Sequence, residues 1–210
     1  MTEAHSYWSG ILIAQATFVL ATLSPGPAML STMGTSMGAG RKAGIALGLG
    51  IVTGSFCWAV LTAIGFSVII AANAGVLNLI RFLGSFYLLY LAVKAFRAAV
   101  STRDLIAQSE GLQRSSVRHF LRGWGIHLTN PKAILAWIAI ISLGLKPGAP
   151  FWVIAAILGG TMIFAVLFYT FCAVAFSTAA VVRVYGKASR WIDAVLGAFF
   201  IFAALKLALQ

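Results

Sequence analysis

Two proline sites interrupt stretches otherwise apolar enough to cross a membrane: Ser24-Pro25-Gly26-Pro27 in the first such stretch and Asn130-Pro131-Lys132 in the fourth. Proline has no N–H to donate, and its ring clashes with the carbonyl four residues back. Each site is therefore expected to break its helix and free backbone acceptors, at Ala21 and Leu23 in the first and at His127 in the second. In hydrocarbon such groups need partners, so irregular backbone is tolerated at membrane depth only where it is buried in protein or lines a polar cavity. The paired breaks predict such a cavity.

The rest of the chain supports a membrane setting. Of its 210 residues, 61% are hydrophobic and only 9% charged, against about 25% charged in soluble domains. Six segments reach the length of about 20 apolar residues that a spanning helix needs: roughly Trp8 to Ser36, Ala43 to Ala72, Val76 to Phe96, Phe120 to Leu143, Phe151 to Phe176 and Trp191 to Leu209. The expected fold is an all-α integral membrane protein, with helices 1 and 4 broken at their prolines. The first apolar stretch is too long for a signal-peptide core and has no Lys or Arg before it, so a retained helix is expected.

A net charge of +11 would suggest nucleic-acid binding in a soluble protein, but its distribution points to the bilayer as partner. Lys and Arg gather in alternate connections: Arg41 and Lys42, then Lys94, Arg97, Arg103, Arg114, Arg118 and Arg122, then Arg183, Lys187 and Arg190. The opposite side carries Arg81, Lys146 and Lys206. Under the positive-inside rule the basic ends face the cytoplasm and both termini lie outside.

The longest polar stretch divides the chain into residues 1–100 and 119–210, joined by a cytoplasmic connector at 101–118. Each half opens with a proline-broken helix and closes with a similar pattern, Leu83-Gly84-Ser85-Phe86-Tyr87 and Leu196-Gly197-Ala198-Phe199-Phe200. Three helices per half make the second copy enter from the opposite side, giving two inverted three-helix repeats of the kind found in secondary transporters. Small residues four apart, Gly40, Gly44 and Gly48, then Gly50 and Gly54, let backbones approach closely, within the chain, at a homodimer contact or as a sliding surface.

At a break near the midplane, the following half-helix points N–H groups and its positive dipole end at the gap, which suits a carboxylate. The carbonyls before it suit an ammonium group or cation. Ser24, Pro25, Gly26, Pro27, Asn130, Pro131 and Lys132 are therefore candidate substrate-binding residues, with an α-amino acid as a complementary ligand. Lys132 could hold its carboxylate or snorkel to the headgroups. His127 could carry a proton or pack as a polar residue. Asp193, the only acidic residue in an expected span, could relay protons or pair with Lys187 or Arg190. Gln15, Thr22, Thr53, Ser55, Tyr87, Tyr90 and Tyr169 are candidates for a polar path. No Walker A loop, metal cluster or nucleophile elbow is present, so the sequence calls for no metal or cofactor and gives no support to enzyme chemistry. A rival reading is a membrane thiol redox protein using Cys57 and Cys172, which occupy matching places in the two halves.

Ser24-Pro25-Gly26-Pro27-Ala28-Met29-Leu30, the run Arg41-Lys42-Ala43-Gly44 to Gly54, Asn130-Pro131-Lys132-Ala133, and Gly84 and Gly197 together resemble the LysE/RhtB family of bacterial amino-acid exporters over nearly the whole chain. The resemblance implies a secondary transporter in the bacterial cytoplasmic (inner) membrane. It would export an amino acid or related metabolite, driven by proton exchange or the membrane potential. Many members carry an acidic residue directly after Pro-Gly-Pro, where this chain has Ala28. A cavity short of negative charge favours neutral or anionic substrates over dibasic ones.

Overall fold

The computed structural model describes residues 2–72, 74–100, 115–146 and 148–208. Within them every element is helical: α1 (Thr2–Leu23), α2 (Pro27–Ala39), α3 (Arg41–Ala72), α4 (Ala74–Val100), α5 (Ser116–Leu128), α6 (Pro131–Gly144), α7 (Phe151–Ala175) and α8 (Ala179–Ala208). The first and fourth apolar stretches each appear as two helices. The chain bends by 50° between α1 and α2 and by 63° between α5 and α6.

The two breaks are built differently. Pro27 and Pro131 each open the helix after the break, where a missing N–H loses no helical bond and the fixed φ is already helical. Asn130 caps α6, its side-chain oxygen accepting from the Lys132 backbone N–H at 3.0 Å. Gly26 precedes α2 with extended backbone and offers no side-chain cap, which leaves donors in the first turn of α2 without the usual side-chain acceptor. The His127 carbonyl, expected to be freed, accepts from the Asn130 amide at 3.2 Å.

The described residues hold up to four candidate spans: α3 over Arg41–Gly65, α7, and the two bent pairs. The helices α4 and α8 are also long, at 27 and 30 residues. Several boundaries differ from those read from hydropathy. Helix α8 starts at Ala179 instead of near Trp191 because its first half is two-faced: Arg183, Lys187 and Arg190 are exposed, while Val181, Tyr185 and Ile192 turn inward. Average hydropathy misses a half-polar helix. Helix α5 starts at Ser116, inside the expected connector, because Ser115 caps it by accepting from the Arg118 N–H. The remainder of that connector, 101–114, lies outside the described residues.

Helix α3 packs along α5 and α7, α4 along α8, and α1 along α6 and α7. Glycine makes the α3 contacts possible on two faces. A Cβ at Gly50 would run into the Phe120 carbonyl of α5, and one at Gly123 into the Leu47 carbonyl of α3. On the other face, Gly48 lies against Tyr169 and Gly44 against Ala173, both on α7. At Gly44, Gly48, Gly50 and Gly54 the expected close approach thus occurs within this chain, whereas a Cβ at Gly40, which ends α2, would meet nothing. Gly50→Leu should prevent α3 and α5 from closing, at a cost on the order of 3 kcal/mol or more. Gly65→Leu, where a Cβ meets nothing, should be tolerated. Size-exclusion profiles of the two variants in detergent check this.

Candidate functional site

Lys132 joins the two breaks. Its ammonium donates to the Ser24 carbonyl at 2.7 Å, just beyond the end of α1. That carbonyl end carries the negative pole of the α1 dipole, where a cation is stabilised. Lys132 itself leaves the first turn of α6, where a positive charge is unfavourable. Reaching across to α1 offsets that. The lysine is half-buried, so its charge is answered by protein groups instead of lying along the surface.

The contact borders a cavity of about 50 Å³ between the breaks. Its polar lining includes Ser24, His127, Asn130 and Lys132, with the Gly26 backbone, and its apolar lining includes Phe18, Ala136, Trp137 and Ile140. At roughly 10–15 Å³ per water it holds a few water molecules, far below the ~300 Å³ at the small end of ligand pockets.

His127 lines this cavity and is 9% exposed. Neither ring nitrogen has a hydrogen-bond partner among the described residues. A buried polar group left in that condition costs about 1–3 kcal/mol, which a ligand in the cavity would relieve. A Cβ on Gly26 would stand 3.3 Å from the Lys132 Nζ, so glycine keeps the uncapped start of α2 open beside the ammonium. Of the sequence-derived site residues, Ser24, Gly26, His127, Asn130 and Lys132 converge here. Pro25 lines a neighbouring cavity, whereas Pro27 and Pro131 are exposed and act by setting the helix starts.

That neighbouring cavity, about 10 Å³, lies between Ser24, Pro25, Lys94, Lys132 and Asp193. Asp193 is 1% exposed and faces inward, away from the exposed Lys187 and Arg190 on its own helix. Among the polar-path candidates, Thr22, Ser55 and Tyr169 line the main cavity. Gln15 instead donates to the Ala156 and Ile157 carbonyls of α7, both at 3.1 Å. Thr53 is exposed and donates to Leu49, Tyr90 is exposed, and the side chain of Tyr87 lies outside the described residues. Cys57 and Cys172 are both free thiols, Cys172 in an apolar groove with Phe168, Phe171 and Phe176.

Sequence reasoning missed Phe18 and Trp137. The Trp137 indole donates to the Ser55 hydroxyl at 3.0 Å, and its ring packs on Phe18 at 5.3 Å between centroids. A tryptophan just after the break, with an indole N–H that needs an acceptor when buried, was the available signal.

Apolar helices and two bent pairs that each qualify as a span, meeting at a small and partly polar cavity, define the class: a multi-pass membrane protein. A family model described as LysE type translocator matches residues 19–210. The chain belongs to that family, and it is a transporter, not an enzyme. The threonine efflux protein of Salmonella typhi is 31% identical over 186 residues, covering 87% of this chain and 89% of its own. The threonine efflux protein of Escherichia coli (strain K12) is 30% identical over 187 residues, with 87% and 89% covered. The uncharacterized membrane protein YahN of the same strain is 29% identical over 197 residues, with 94% and 88% covered. No solved structure matches.

Removing either partner of the Trp137–Ser55 bond should leave the other buried without its partner, lowering stability by about 1–3 kcal/mol. Ser55→Ala and Trp137→Phe should each reduce Tm in detergent, and the double variant should lose less than the sum.

Proposed function

We propose that this translocator exports a neutral amino acid or related small metabolite from the cytoplasm, binding it between Ser24–Pro27 and Asn130–Lys132. The observation that carries the reading is the meeting of Lys132 and Ser24 across two helix breaks, beside the open start of α2 and the His127 ring. The substrate carboxylate takes the Lys132 ammonium and the first N–H groups of α2. Its ammonium takes carbonyls at the end of α1. His127 supplies a further polar contact.

A neutral substrate agrees with Ala28 in place of an acidic residue and with relatives named for threonine efflux. The two bent pairs occupy corresponding places in the halves and pack against opposite-half helices. That supports six crossings, with α4 and α8 included, arranged as two inverted repeats that rock about the breaks. The basic ends then face the cytoplasm and both termini lie outside the inner membrane. Transport is coupled to protons or to the membrane potential, with Asp193 and His127 as the groups able to carry the proton.

Efflux of labelled amino acids from preloaded proteoliposomes, with and without a pH gradient, tests this. Gradient-dependent efflux of a neutral amino acid is expected, and movement of no amino acid would contradict it. Pro25→Ala with Pro131→Ala should abolish efflux while leaving membrane insertion intact. Lys132→Gln should raise KM by tenfold or more, the loss of about one charge-assisted hydrogen bond.

A further inference from the structure

Lys132 and Ser24 line both cavities, so the lysine stands between the substrate space and buried Asp193. Building on the proposed binding mode, we infer that Asp193 is a specificity-determining residue: it neutralises Lys132 from behind and leaves the site with no net charge, suited to a zwitterion and unsuited to an anion.

A carboxylate 1% exposed within a membrane helix keeps its charge only beside a compensating cation. Two cations share its cavity, Lys94 and Lys132. Lys94 is exposed and can carry its head outward along its flexible stem. Lys132 is half-buried, its ammonium fixed on the Ser24 carbonyl, and it is the cation that also faces the substrate cavity. Lys187 and Arg190 are exposed on the same helix as Asp193 and do not line the cavity.

Electrostatic effects are long-ranged where water is excluded. A carboxylate behind Lys132 therefore lowers the potential felt in the main cavity without touching substrate. With it, the Lys132 ammonium accepts one substrate carboxylate while the substrate ammonium meets no net positive field. Without it, the site carries a full positive charge, which favours a second substrate carboxylate and repels substrate cations. This is discrimination by charge balance, not by pocket shape.

The test compares efflux of L-threonine, L-aspartate and L-lysine by wild type, Asp193→Asn, Asp193→Glu and Lys94→Gln. The threonine-over-aspartate preference should fall at least tenfold in Asp193→Asn, with Asp193→Glu restoring it and Lys94→Gln keeping it. An unchanged preference in Asp193→Asn, or the same shift in Lys94→Gln, overturns the inference.

A second measurement needs no transport. In purified protein, Lys132→Gln and Asp193→Asn should each lower Tm, and the double variant should recover most of the loss, as for a compensating pair. Additive losses overturn the pairing. Absence of any amino-acid efflux by the wild type, alongside a positive cycle, would remove the substrate reading and leave the pairing in place.

Discussion

An ammonium group held on a backbone carbonyl at a helix break is the constraint on which the site depends. In an unbroken helix the Ser24 carbonyl would be bonded within its own helix, and Lys132 would lie in hydrocarbon without an acceptor. The Pro25 and Pro27 pair opens the first condition, and Asn130-Pro131 fixes the second by starting α6 so that its first turn faces α1. One hydrogen bond of 2.7 Å then links two segments more than a hundred residues apart in sequence. The cavity forms around it because neither broken end can pack against lipid.

The surrounding helices exist to hold those two ends in register. Where Gly50 and Gly123 meet backbone, α3 and α5 approach until their main chains nearly touch, which places His127 of α5 against Gly54 of α3 and at the cavity wall. Trp137, bonded to Ser55 and packed on Phe18, ties α6 to α3 and α1 on the other side. The cavity is left small between these contacts. A cavity of about 50 Å³ is far smaller than a ligand pocket, so a translocator built on it alternates between a closed site and an opened one.

Much of this was legible in the residues. Pro25, Pro27 and Pro131 mark both breaks, since the chemistry of proline is local, and the converging Ser24, Gly26, Asn130 and Lys132 follow from them. Long-range choices were not legible. Nothing in the sequence around Lys132 says that its ammonium reaches Ser24, or that Asp193 lines a cavity with it while Lys187 and Arg190 do not. The early start of α8 was hidden because Arg183, Lys187 and Arg190 depress hydropathy on one face of a helix whose other face is apolar. Gln15 and Thr53 were plausible cavity residues by type, but helical facing and backbone acceptors at Ala156, Ile157 and Leu49 took them elsewhere.

In the proposed binding mode the Lys132–Ser24 contact closes the site and a substrate carboxylate replaces it. A solid-state NMR measurement of the distance from the ¹³C-labelled Ser24 carbonyl to the ¹⁵N-labelled Lys132 side chain, in liposomes, tests it directly. A short separation without substrate that lengthens when a transported amino acid is saturating is the predicted result. A separation that stays short at saturation would show that Lys132 is a fixed structural strut and would contradict the account.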